Sequence, residues 1–299
     1  MLHVLTHNIL PVFAMLALGF VMGRMKTASI DEARAVNRIA FLVLQPPLIF
    51  MLLTGLDLGA IHWGALGLYA LCEVIGFTLA FLLARHVLGC DLAEAWLLGM
   101  AVVFVNTLLY IWPIATLIYG EAGAMPITAI VALDASVSFA FFIISSELIA
   151  GKGDLSGTFR RMARNPVLGT ILLSIALNLA SVPIPEPIQT AARFAGAGAA
   201  PMMLFAMGVV LSSHSIRPGP TIAAISAAKL LGLPLLVAAA FAIGAPDSDW
   251  RQLFLMASAG PAGAMSFSLA LLYGVKTDNI APVIVWTSVL SLLSLAWLA

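Results

Sequence analysis

The chain alternates between long apolar runs and short polar breaks, and the runs are apolar all round rather than along one face. A bilayer core about 30 Å thick is crossed by roughly 20 apolar residues in a helix. Ten runs come near or exceed that length, at about 8–23, 36–56, 63–84, 95–119, 125–149, 166–182, 188–212, 221–244, 252–273 and 279–298. The breaks carry turn residues and charge, among them Arg24-Met-Lys26, Gly89-Cys-Asp91, Gly151-Lys-Gly-Asp154 and Pro183-Ile-Pro-Glu-Pro187. A transmembrane barrel would need short alternating strands instead. The pattern predicts an all-α polytopic membrane protein.

Composition agrees. Of 299 residues, 62 % are apolar and only 9 % charged, against roughly a quarter charged in a soluble domain. Mean hydropathy is +1.08. Two cysteines, Cys72 and Cys90, exclude a disulfide scaffold, and zero net charge without a basic block argues against nucleic acid as a partner.

The scarce charges orient the helices. Breaks after odd-numbered runs hold 11 of the 14 basic residues, including Arg24, Lys26, Arg85, Lys152, Arg160, Arg217 and Lys276. The positive-inside rule then places both termini outside. The first run has no Lys or Arg before it, so a retained helix is expected rather than a cleaved signal peptide.

The basic connection 151–165 divides the chain into five runs at 1–150 and five at 166–299. At an offset of about 155 residues, Pro11 aligns with Pro166, Arg38 with Arg193, Pro46 with Pro201 and Phe50 with Phe205. An odd number of helices per copy inverts the second copy, which is the architecture of many secondary carriers. Such carriers bind substrate near the membrane midplane on discontinuous helices. In the ninth run, Gly260-Pro261-Ala-Gly263 followed by Ser266 interrupts the apolar sequence. In the fourth run, Asn106 and Thr107 fall at mid-depth and Pro113 weakens the second half. A buried asparagine is costly unless it is hydrogen-bonded.

Asn106-Thr-Leu-Leu-Tyr-Ile-Trp-Pro113 resembles the helix-four motif of the auxin efflux carrier family, which includes plant PIN-type auxin carriers and bacterial malonate or malate transporters. Other blocks agree: Asn8-Ile-Leu-Pro11, Asn37-Arg-Ile-Ala-Phe41 with Pro46-Pro47, Ala199-Ala-Pro201-Met-Met-Leu-Phe205-Ala-Met-Gly208, Lys229-Leu-Leu-Gly-Leu-Pro234, and Pro261-Ala-Gly263 with Tyr273-Gly274. The resemblance covers nearly the whole chain. It implies ten transmembrane helices as two inverted five-helix repeats, with helices four and nine broken and crossing. It also implies a substrate carboxylate on Asn106, with helices one, two, six and seven as a scaffold or homodimer side. Val105 stands where plant members have proline, and Leu108 and Ile111 replace glycines, so a differently shaped pocket is expected.

The expected function is alternating-access transport of small organic anions such as malonate, malate or auxin-like acids across a bacterial inner membrane. Candidate substrate-binding residues are Asn106, Thr107, Tyr110, Pro261, Gly263 and Ser266, with helix breaks at Pro113, Gly260 and Pro261. Donors would come from the Asn106 amide, the Thr107 hydroxyl and half-helix N-termini. Leu108, Tyr110 and Met265 would set the shape of the site. Ionisable residues within spans mark function by default. Glu73 and Lys229 occupy equivalent repeat positions and form either a proton-linked switch or a structural pair; Asp134 either takes a proton or cation or bonds a neighbouring helix. Proton and sodium coupling both stay open. The alternative function is a sodium-coupled carrier of the bile-acid symporter type, although the ninth run offers only Ser258, Ser266, Ser268 and backbone carbonyls as ligands. The five histidines, His3, His7, His62, His86 and His214, lie at or near span ends, so no enzyme, metal site or cofactor is expected.

Overall fold

A computed structural model of the chain describes residues 2–149, 157, 160, 165–214 and 216–298; most of the 151–165 connection, with the orientation drawn from its charge, lies outside the described residues. Among the described residues, seven helices are long and apolar enough to cross a membrane. These are α1 (Leu2–Arg24), α2 (Ile30–Thr54), α3 (Trp63–Val87), α6 (Met125–Ile149), α8 (Glu186–Ser212), α9 (Pro220–Gly244) and α12 (Ile280–Leu298). Between them run α4 (Leu92–Val103), α5 (107–123), α7 (Pro166–Leu179), α10 (Arg251–Ser258) and α11 (Met265–Tyr273). The fourth apolar run is thus α4 and α5 with an interruption at 104–106, and the ninth is α10 and α11 with an interruption at 259–264. No strand occurs among the described residues; an isolated antiparallel bridge joins Val105 to Ala262.

Prolines leave a recurring mark. Leu5–Ile9, Ala40–Leu44, Thr107–Ile111 and Ala228–Gly232 are widened π-turns, and Pro11, Pro46, Pro113 and Pro234 follow them at the same spacing. The residue just before each proline donates five positions back: Leu10 to Leu5, Gln45 to Ala40, Trp112 to Thr107 and Leu233 to Ala228. A proline ring clashes with the carbonyl four residues earlier and has no N–H for it. An extra residue in the preceding turn relieves both problems without ending the helix. Pro113 therefore sits within α5, where the ladder widens; the interruption of the fourth run lies upstream, at Phe104–Asn106.

The helices pack in two groups. In one, α1 lies along α8, and α2 packs on α7 and α8; in the other, α3 packs on α4 and α9, while α11 and α12 pack on α4. Asn178 on α7 ties the first group together. Its Nδ2 donates to the carbonyls of Leu53 and Leu56, each at 2.7 Å, and of Thr54 at 3.3 Å, satisfying the C-terminal end of α2. Asn178→Leu would leave these carbonyls without their donor, at about 1–3 kcal/mol. A lowered thermal unfolding midpoint of the purified protein is expected; an unchanged midpoint would show that the cap carries no stability.

Candidate functional site

The two interruptions meet. Asn106 N–H donates to the Pro261 carbonyl at 3.1 Å, and Gly263 N–H donates to the Phe104 carbonyl at 2.8 Å. This pairing satisfies backbone groups that broken helices leave free. Neighbours satisfy others: Ala262 N–H donates to Thr287 Oγ1 at 3.1 Å, and Ser294 Oγ donates to the Ala259 carbonyl at 3.2 Å, both from α12. Lys229, fully buried on α9, donates to the Ser258 carbonyl at 2.6 Å. It thus gives a donor to a carbonyl at the C-terminal end of α10, which a helix end leaves free.

A cavity of about 450 Å³ opens beside the paired segments. Its wall includes Asn37, Phe41, Gln45 and Ile49 of α2, the stretch Phe104–Leu109, and Asp134, Ala135 and Phe139 of α6. Gly263, Ala264, Met265 and Ser268 close another side. The first residues of α5 and α11 belong to this wall, so both helices direct their positive N-terminal ends toward it. Asn106 is 7 % exposed and its Nδ2 has no hydrogen-bond partner. Thr107 Oγ1 donates to Asp134 Oδ2 at 3.2 Å, and Asp134 also faces the Glu73 carboxyl within hydrogen-bonding reach.

Of the candidates named from sequence, Asn106, Thr107, Gly263, Leu108, Met265 and Asp134 share this wall. Tyr110, Pro261 and Ser266 are buried behind it, Pro261 accepting from Asn106 and Ser266 Oγ donating to the Gly263 carbonyl at 3.3 Å. Gly260 is packed against Ile111 and Val105. Glu73 is buried on α3, its carboxyl within hydrogen-bonding reach of Asp134, and among the described residues no salt bridge joins Lys229 to a carboxylate. Asn37, Gln45, Asn165 and Met203 are wall residues that the sequence reasoning did not place at a site. Asn37 was legible only as one of several polar residues at the start of α2, and Gln45 as a lone amide in its apolar second half.

A second hollow, of about 890 Å³, lies farther along α2, among Met51, Thr54, Asp57, Trp112, Glu121, Thr128, Gln189 and Arg193. Between the two sits a compact apolar cluster of Ile49, Leu53, Val167 and Ile171, packed against Leu108, Ala132 and Ala135.

The sequence matches a family described as membrane transport protein over residues 4–298. It is 26 % identical to a protein of Rhizobium meliloti (strain 1021) named "Putative malonate transporter", across 96 % of this chain and 92 % of that one.

Proposed function

The chain belongs to this membrane transport protein family, the auxin efflux carriers, and is an integral membrane transporter rather than an enzyme; from that premise we propose that it carries small carboxylates, with malonate as the leading substrate, by alternating access. The observation that carries the proposal is the unpartnered, buried Asn106 amide in a cavity toward which two helix N-termini point. An anion there meets donors without needing a basic side chain. Thr107 and Gly263 would complete the contact, with Leu108 and Met265 shaping it; Tyr110, Pro261 and Ser266 would hold the paired segments in place from behind. Gly260 and Pro261 would form the break in the ninth helix.

The reading extends to ten transmembrane helices in two inverted five-helix repeats, 1–150 and 166–299, crossing where Val105 pairs with Ala262. The group formed by α1, α2, α7 and α8 would be the scaffold, and the other group would move against it. A homodimer on the scaffold side would cover exposed Leu172, Leu179 and Phe194. Glu73 and Lys229 would act as structural charges behind the crossing. Lys229 already occupies the Ser258 carbonyl with a hydrogen bond, which takes that oxygen from any sodium ion at this helix end.

The test is uptake into proteoliposomes of a panel of mono- and dicarboxylates, with and without sodium. Malonate uptake without sodium is expected. Asn106→Ala should reduce it by about tenfold or more, the loss of a hydrogen bond to a charged group being worth about 1.5–3 kcal/mol. Transport of only sugars or cations would overturn the proposal, and strict sodium dependence would favour the symporter alternative.

A further inference from the structure

Behind the crossing, two carboxyl groups face each other. Glu73 of α3 and Asp134 of α6 lie within hydrogen-bonding reach, and they are 8 % and 5 % exposed. Neither Glu73 Oε1 nor Asp134 Oδ1 receives a hydrogen bond from a hydroxyl, amide or ammonium group among the described residues, and neither oxygen presents surface to water. Two ionised carboxylates only accept hydrogen bonds, so they cannot bond to each other, and at this range they repel strongly. One proton between them supplies the missing donor and removes the repulsion.

The surroundings offer no substitute for that proton. The titratable groups acting on the pair are Tyr69 and Cys72 of α3 and Lys229 of α9, while Thr107 of α5 and Ser138 of α6 offer hydroxyls to Asp134. Lys229 gives its hydrogen bond to the Ser258 carbonyl, and no salt bridge joins it to either carboxyl. As an ammonium it offsets one negative charge from a distance; a second would stand unbalanced in a site shut off from water. Asp134 also opens a widened turn, Asp134–Ser138, that no proline follows, unlike those before Pro11, Pro46, Pro113 and Pro234. Widened turns of this kind recur where a helix carries function.

The pair is tied to the substrate cavity through Asp134. Of the two, Asp134 lines the cavity, and its Oδ2 accepts from Thr107 Oγ1, one residue from Asn106. Loss of the shared proton therefore adds a negative charge beside the place where an anion would dock, with little water to screen it. Anion and proton favour each other's binding, and by linkage they do so equally.

We propose that Glu73 and Asp134 form a proton-binding site behind the cavity, and that the proton held there is a co-ligand of the anionic substrate. The inference rests on the carboxylate-carrier reading and deepens it, adding a proton-binding role to the structural one of Glu73. The proton comes from solution, forms an O–H bond to one carboxyl oxygen and a hydrogen bond to the other, and no other bond changes.

The experiment takes two readouts on the purified full chain. Difference infrared spectroscopy follows the C=O stretch of protonated carboxyl groups as pH is raised, and calorimetric titration with malonate gives Kd over the same range. Both are made on the alkaline side, where malonate is fully ionised in solution. The wild type should lose a protonated-carboxyl band as pH rises, and over that interval its Kd should rise up to about tenfold per pH unit. Glu73→Gln keeps a donor toward Asp134 that cannot be released, so it should lack the pH-dependent band and change its Kd less than about twofold per pH unit. Asp134→Asn serves the same purpose if Glu73→Gln does not fold, and the wild-type band and Kd together decide if neither does. A wild type without the titrating band, or with a flat Kd, would overturn the inference while leaving the carboxylate reading intact. So would a Glu73→Gln variant that keeps the full slope, which would assign the titration to another group such as Lys229. If malonate and propionate both fail to bind at every pH, the carboxylate reading falls, and this inference with it.

Discussion

Gly263→Val is expected to abolish transport while leaving the helices formed. A Cβ at position 263 would lie 2.7 Å from the Phe104 carbonyl oxygen and 3.3 Å from that of Val105. Both are backbone atoms held in the paired interruption, and the Phe104 oxygen is the acceptor of the Gly263 N–H. A side chain can enter only by parting the two segments, which also loosens the bond from Asn106 N–H to Pro261. Asn106 then leaves its position in the cavity wall. Displacement of a binding group by about 1 Å can cost on the order of 100-fold in rate. Uptake should fall by about that factor with helix content unchanged by circular dichroism, and Gly263→Ala should fall between this variant and wild type. Near-normal uptake by Gly263→Val would show that the pairing does not position the site.

Gly19→Leu and Gly208→Leu should each prevent stable assembly of α1 against α8. A Cβ at Gly19 would meet the Phe205 carbonyl oxygen at 2.0 Å, and one at Gly208 would meet the Leu16 carbonyl oxygen at 2.1 Å. The obstacle is backbone on both sides, so no rotamer relieves it. Overpacking costs about 1–3 kcal/mol where side chains can yield, and more where they cannot. Loss of monodisperse protein, or a fall in unfolding midpoint on the order of 10 °C, is expected. Gly64→Leu serves as the control, because nothing lies within 4 Å of its Cβ position, and it should behave as wild type.

The membrane-spanning character was legible because a soluble fold of this size has too little interior to bury so many long apolar runs. The Gly260-Pro261 interruption was legible for a local reason, since glycine and proline together weaken a helix wherever they fall. Its partner was harder to locate. Pro113 drew attention within the fourth run, yet the chain leaves helical geometry at Phe104–Asn106, and Pro113 is accommodated by a widened turn. A proline shows that a helix must adjust; the surrounding packing decides whether it breaks or widens. Asn106 stood out as an amide deep in an apolar run. Asn37 did not, because a polar residue beside Arg38 near a span end is readily satisfied at a headgroup; Gln45, at mid-span just before Pro46-Pro47, had a signal that the two prolines overshadowed. The tight α1–α8 contact had a signal that went unread: Gly19 and Gly23 are four apart on one helix, Gly208 and Ser212 on the other, and small residues at that spacing let membrane helices approach closely.

The apolar layer of Ile49, Leu53, Val167 and Ile171 against Leu108 has an electrical consequence. If both hollows fill with water and ions, each is a conductor, and the layer between them is the insulator. The voltage across the membrane then falls over the thickness of those few side chains rather than over the whole bilayer. An elementary charge that crosses the full voltage exchanges about 2.3 kcal/mol per 100 mV. A carboxylate carried as its ion would feel that work almost entirely in the step past this layer.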